Sequence, residues 1–260
     1  MLHYEISGNG KKPLVLLHGF MEDHTIWSDM ESHFSKEFTL IKIDLPGHGK
    51  SENNNAVNSM DFMAEKVKEV IEKLNLNKIN ILGHSMGGYV SLAFAEKFPE
   101  FLESLTLFFS TTLADDEEKK QIRRRSIAMI DENFETFVNT SIPNLFSNNE
   151  KDILEGKIEL AKKIAKSTNK EGVKAAQLGM AERPDRTEIL EKLEAKILII
   201  AGKYDNAVKT ENLLKALPDK TNIKTYVLDC GHCGHWEKPT ICAEIINTEL
   251  LHNLPKKLVF

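Results

Sequence analysis

The sequence predicts an α/β fold: a mostly parallel sheet covered by helices on both faces, with a helical insertion in its second half. Three observations predict it. Short apolar segments bounded by turn residues alternate with helical patterns along most of the chain, as in parallel sheets joined by helical crossovers. Several of those segments are apolar on successive residues, the pattern of strands buried on both faces. The alternation lapses after Phe109 and resumes near Lys196, with only helical patterns between.

In chain order, the residues around Glu5 form an antiparallel edge strand ahead of the first buried strand, Pro13 to Leu17. Further strands are expected at Phe38 to Ile43, Ile79 to Leu82, Leu105 to Phe109, Ile197 to Ile200 and Ile223 to Leu228. Helical patterns lie at Met60 to Leu74, Met86 to Phe98, Lys209 to Leu217 and Pro239 to Leu250. Polar amphipathic helices are expected at Asp115 to Asp131, Asn133 to Thr140, Glu150 to Lys166 and Lys170 to Ala181, broken by Pro143 and Pro184. Residues 1–110 and 196–260 thus read as a core domain and residues 111–195 as a helical cap. Arg123, Arg124 and Arg125 sit among Asp115, Asp116, Glu117 and Glu118, which favours a solvated helix face over an anion site.

With 260 residues, 41% of them hydrophobic and 28% charged, the chain can bury a large core and is not of disordered composition. A formal net charge of −5 gives no general attraction to phosphate backbones, so nucleic acid is not an expected partner. The longest apolar runs, such as Ile197 to Ala201, are too short to cross a bilayer, and no membrane role is expected. Met1 to Ile6 has neither the basic start nor the apolar stretch of a secretory signal, so the expected location is cytoplasmic. Cys230, Cys233 and Cys242, an odd number near one end, do not look like a disulfide framework. The oligomeric state is left open.

The most informative segment is Gly83-His84-Ser85-Met86-Gly87, which joins the strand at Ile79 to the helix beginning at Met86. A serine on so sharp a strand-to-helix turn is lifted clear of the sheet, and small neighbours let the backbone pass. Met86 then stands at the helix N-terminus, where a free N–H faces developing negative charge. A serine hydroxyl is a weak nucleophile at neutral pH and needs a histidine base and an orienting carboxylate. Asp205 follows the strand at Ile197, and His232 follows the last strand through Gly231. The order Ser85, Asp205, His232 suits this arrangement. As an alternative, Asp205 is a turn or N-cap aspartate.

Four motifs in order resemble the α/β-hydrolase fold family over essentially the whole chain. They are Leu16 to Phe20, Asp44 to Ser51, Gly83 to Gly87, and Gly231-His232 with Glu237-Lys238-Pro239. The resemblance implies that Phe20 N–H joins Met86 N–H in an oxyanion hole, and that Ser85, Asp205 and His232 form the catalytic triad. It implies that His18 and His84 hold loops by hydrogen bonds, and that Asp44 ties its own turn. His235 competes with His232 as base, and the Gly-His and Glu-x-Pro spacing favours His232. Cys230 and Cys233 spell a Cys-x-x-Cys, for which loop packing is preferred over a redox or metal site.

The segment Gly179 to Asp185 is similar to small carboxylesterases and enol-lactonases of this fold. The implied activity is hydrolysis of a small ester or lactone through an acyl-enzyme, with neither cofactor nor metal. Trp27, Tyr89 and Phe146 are candidates for the acyl pocket and Arg183 for a substrate carboxylate. Carbon–carbon hydrolases of the fold share every motif. A menaquinone-pathway synthase usually carries arginine where Tyr89 stands, and a ligand receptor on a hydrolase fold can retain a triad.

Overall fold

Alternate residues of each central strand point to opposite faces of one sheet, so both faces must be covered. A computed structural model describes residues 1–149 and 151–251. Its strands are β1 (Tyr4–Ser7), β2 (Lys12–Leu17), β3 (Phe38–Ile43), β4 (Ile79–His84), β5 (Leu102–Phe108), β6 (Lys196–Gly202) and β7 (Ile223–Leu228). They form one seven-stranded sheet in the order β1-β3-β2-β4-β5-β6-β7. Only β1 is antiparallel to its neighbour, as expected for an edge strand at Glu5.

The helices are α1 (Ser28–Glu31), α2 (Met60–Lys73), α3 (Met86–Lys97), α4 (Glu117–Ser141), α5 (Glu155–Ser167), α6 (Lys170–Ala181), α7 (Thr187–Lys192), α8 (Thr210–Ala216), α9 (Gly234–Glu237) and α10 (Pro239–Leu251). On one face Val15, Ile41, Ile81 and Ile199 pack with Val67 of α2, Phe94 of α3 and Leu213 of α8. On the other, Leu14, Leu16, Leu82 and Ile200 pack with Met30 of α1, Ile246 of α10, and Ile130 and Ile158 of α4 and α5. Each such side chain taken from water is worth about 1.5–3 kcal/mol before entropy is set against it.

Helix ends follow local chemistry. Ser59 caps α2 by accepting from Phe62 N–H, and the helix is closed by Asn75 at φ 52°. The expected break between Asp131 and Asn133 is a kink inside α4, where Asn133 leaves helical geometry (φ −155°, ψ 87°). Its side chain then caps the second half by accepting from Thr136 N–H at 2.9 Å. The helix expected from Glu150 begins at Glu155 instead, after a turn in which Leu154 N–H bonds Lys151 O; Glu150 itself lies outside the described residues, as do 252–260.

Helices α4 to α7 lie between β5 and β6, where the alternation lapses. The last of them sits on the sheet side: Leu190 joins the core with α3, and Arg186 pairs with Asp61 of α2 and Glu96 of α3. Chain direction also fixes where a site can form. From β2 the chain steps to β3 on one side, while β4 lies on the other, so a crevice opens at their carboxyl ends. The loop after β2 and the turn after β4 meet there. Among the described residues no helix is long and apolar enough to cross a membrane.

Candidate active site

Ser85 occupies that crevice in a conformation few residues adopt, φ 49° and ψ −112°, between β4 and the first residue of α3. The turn is held from both sides: Ser85 N–H bonds Phe108 O, and Ser110 Oγ–H bonds Ser85 O. A Cβ on Gly83 would come within 2.2 Å of Gly87 O, and one on Gly87 within 2.4 Å of Leu17 O. The two glycines are therefore demanded by backbone packing at the elbow.

His232 and Asp205 meet here as the sequence suggests. His232 Nδ1 lies 2.7 Å from Asp205 Oδ2, with both side chains almost wholly buried. Asp205 is also the turn residue of the alternative reading, since its Oδ1 accepts from Ala207 and Val208 N–H at 2.8 Å each. One carboxylate fills both roles, and the turn fixes which oxygen faces the histidine.

The backbone of His232 is pinned independently of its ring. Its N–H donates to Leu145 O at 2.7 Å, and its carbonyl lies 3.0 Å from His84 Nε2. The Glu237 carboxylate gathers the same loop by accepting from Gly231, Cys233 and Ser147 N–H. In the sequence Glu237 stands out only as part of a motif, and nothing there singles out Leu145.

Across the crevice, Gly19 N–H donates to Glu22 Oε2 at 2.6 Å, so it is committed, and Phe20 N–H is the next donor of the loop. Met21, at φ 58°, turns the chain so that Glu22 reaches back. Met86 opens α3, and its N–H has no intrahelical acceptor. His18 is neutral and structural: Nδ1–H donates to Gly19 O while Nε2 accepts from Leu45 N–H. Burial holds its pKa down. Asp44 ties its own turn by accepting from the backbone N–H groups of His24 and Lys50 and from the rings of His3 and His24. His3, His24 and Asp44 place donor atoms within 4.8 Å of one another, as a metal site would, but these hydrogen bonds already account for the cluster.

A cavity of about 590 Å³ opens onto Ser85 and His232, and Phe20 and Tyr89 line it. Two pocket candidates are elsewhere. Trp27 packs in the core against Phe108 and His235, and Phe146 stacks on Trp236; both are fully buried and outside the cavity lining. Trp27 and Phe146 instead remove their rings from water in the apolar cluster on this face of the sheet.

Arg183 does border the cavity, with its guanidinium 3.9 Å from the centre of the Tyr89 ring and its NH2 group 2.8 Å from Asp115 Oδ1. The same carboxylate binds Arg123, whose NH1 also donates to Gln177. Burial raises the Asp115 pKa, but the two guanidiniums outweigh it and hold the carboxyl down at about 2. Arg123 is thus not part of a solvated face: a buried carboxylate draws it inward, and only Arg124 and Arg125 remain exposed. Cys230, Cys233 and Cys242 are free, buried thiols, and burial pushes all three up, which keeps them protonated and unreactive.

A family model described as alpha/beta hydrolase fold matches residues 12–239. A thermophilic esterase from Thermogutta terrifontis, solved with malate bound, is 33% identical with a TM-score of 0.89, covering 96% of this chain and 93% of that one. The enol-lactonase of Burkholderia xenovorans LB400 superposes with a TM-score of 0.87 at 20% identity, covering 96% of each chain, a likeness of fold. In Escherichia coli (strain K12) the 2-hydroxy-6-oxononadienedioate/2-hydroxy-6-oxononatrienedioate hydrolase is 27% identical over 249 residues, 91% of this chain and 86% of its own. A nucleophile-type elbow, a histidine–aspartate pair and this match over most of the length agree: the chain belongs to the alpha/beta hydrolase fold family.

Proposed function

We propose that the protein is a serine hydrolase that cleaves a small ester or lactone through an acyl-enzyme on Ser85. The observation that carries this is the strained Ser85 turn opening on the same cavity as His232, whose Nδ1 is bound to Asp205. In the reaction Ser85 Oγ attacks the carbonyl carbon and its proton passes to His232 Nε2. Asp205 accepts the Nδ1–H, which leaves Nε2 free to take the serine proton, and stabilises the imidazolium. The tetrahedral oxyanion is received by the N–H groups of Phe20 and Met86, each such donor being worth roughly 3–4 kcal/mol of barrier. His232 then protonates the leaving alkoxide, and water, deprotonated by the same ring, releases the acid.

Within residues 111–195 the segment up to Arg183 forms the cap over this cavity, while α7 packs on the sheet side; the cap sets the acyl group admitted, with Tyr89 as the apolar wall. Cofactor and metal have no step in the scheme. The esterase likeness at 33% identity favours the ester reading. Carbon–carbon bond hydrolysis is the second reading, favoured by the 27% identity to the Escherichia coli hydrolase.

The test is fluorophosphonate labelling beside hydrolysis of p-nitrophenyl esters of graded acyl length and of a lactone. Labelling and turnover that both vanish in Ser85→Ala are expected. Labelling that persists in Ser85→Ala would refute the nucleophile, and labelling without turnover of any substrate would point to the receptor reading.

A further inference from the structure

Glu22 is a carboxylate on the cavity wall that the scheme above does not use, and it is almost fully buried. Its Oε2 accepts from Gly19 N–H at 2.6 Å and lies 2.8 Å from His84 Nδ1; the other nitrogen of that ring lies 3.0 Å from the His232 carbonyl oxygen. A carbonyl oxygen has no proton to give, so His84 Nε2 carries one. The contact between Nδ1 and Oε2 needs a second. Oε2 already takes the Gly19 N–H, which leaves the ring as the natural holder of both protons.

We propose that Glu22 is a positioning residue that holds His84 as an imidazolium, and that this ion pair locks the loop of Gly19 and Phe20 to the loop of His232. The proposal rests on the serine-hydrolase reading, because what it aligns is the oxyanion loop with the base. The room at the junction is small: a Cβ on Gly19 would lie 2.7 Å from Glu22 Oε2, 2.8 Å from His84 Nδ1 and 3.2 Å from Ser85 Cβ. A side chain at position 19 would therefore collide with the pair and with Ser85 Cβ, so glycine is required where the three meet.

The groups facing the pair support its charge. Burial raises the Glu22 pKa, but the charge and hydrogen bond of His84 outweigh it and hold the carboxyl at about 2. Burial lowers the His84 pKa, and Glu22 outweighs that in turn and leaves it raised. His235 on α9 packs edge-on to His84 at 4.7 Å, with Nε2 3.9 Å from Glu22 Oε1. Burial and then the His84 charge drive its pKa well down, so it stays neutral beside the pair. Other groups facing the pair are the His232 ring with Asp205 behind it, the rings of Phe108 and Phe109, the protonated Cys233 thiol, and His18 and His48, which feel the Glu22 charge but which burial holds down. When His84 loses a proton it keeps Nδ1–H toward the carboxylate and gives up Nε2–H, which severs the His232 carbonyl.

Two measurements test this. The first is ¹⁵N NMR of the histidine rings in Ser85→Ala protein, with the His84 signals assigned by their loss in His84→Asn, so that it does not depend on the serine chemistry. Both His84 nitrogens protonated at pH 7.5 is the expected result; a neutral tautomer at that pH overturns the proposal. The second is the rate of fluorophosphonate labelling of Ser85 between pH 5.5 and 9.5, in otherwise wild-type protein. In Glu22→Gln the fall at alkaline pH should begin at lower pH, with a loss of roughly 10- to 100-fold at pH 8.5 that shrinks toward pH 6. Glu22→Asp, which keeps the charge, should return the alkaline fall toward the wild-type position. A loss of equal size at every pH, or no rescue by aspartate, leaves Glu22 as packing alone. Absence of labelling in the wild type would instead sink the serine-hydrolase reading while the NMR result still stands.

Discussion

Asp205 divides its carboxylate between two tasks: Oδ2 meets His232 Nδ1 at 2.7 Å, and Oδ1 receives the N–H groups of Ala207 and Val208. Asp205→Asn separates them. The amide oxygen still caps the turn, so stability should change by less than about 1 kcal/mol. The amide nitrogen, however, would donate to Nδ1 and select the ring tautomer that cannot take the serine proton. A fall in ester kcat/KM of roughly ten-thousand-fold is expected, with little change in KM. Asp205→Ala should lose the turn as well and lower the unfolding free energy measured in urea by about 1–2 kcal/mol.

The Glu22–His84 pair makes stability depend on pH in a defined direction. Glu22 is held at about 2 against an ordinary 4.5, so its contribution is complete above 4.5 and lost as pH falls toward 2. His84 is raised above 6.5, so its contribution is complete below 6.5 and lost as pH rises through the raised value. Urea unfolding of wild type and Glu22→Gln should differ most, by about 3 kcal/mol, between pH 4.5 and 6.5. The difference should narrow on both sides of that window, and a gap independent of pH would argue against the pair.

Asp115 is a second buried charge on which local structure depends. Removing it in Asp115→Ala leaves the guanidiniums of Arg123 and Arg183 facing each other without an anion. A destabilisation of about 3–5 kcal/mol is expected in urea, with faster proteolysis between α4 and α6.

Asn75 closes α2 in the left-handed region at φ 52° and is solvent-exposed. Leu76 N–H bonds Ile71 O and Asn75 N–H bonds Glu72 O, the pattern of a helix stop built around a left-handed residue. Asn75→Ala should cost about 1 kcal/mol in thermal or urea unfolding, and Asn75→Gly should be neutral or slightly stabilising.

What the sequence makes legible here is local. The strand at Ile79, the turn around Ser85 and the break near Asn133 each write their geometry into consecutive residues, through apolar runs, glycines and a capping side chain. Asp205 and His232 are readable because each follows a recognisable strand. Glu22 is different: its partner His84 is 62 residues away, and nothing in the spacing of either announces the other. Glu237 acts on Ser147 across 90 residues for the same reason. Trp27 and Phe146 are read by residue type and Arg123 by the acidic residues near it in sequence, and neither signal says which of two adjacent environments a ring or a guanidinium will enter.

The most direct test of the account is acid-quenched mass spectrometry of the protein mixed with a p-nitrophenyl ester. The account predicts a covalent mass gain equal to the acyl group, on the peptide containing Ser85, formed in a burst with nitrophenolate and absent in Ser85→Ala. Turnover without any adduct on that peptide, or an adduct that survives in Ser85→Ala, would contradict it.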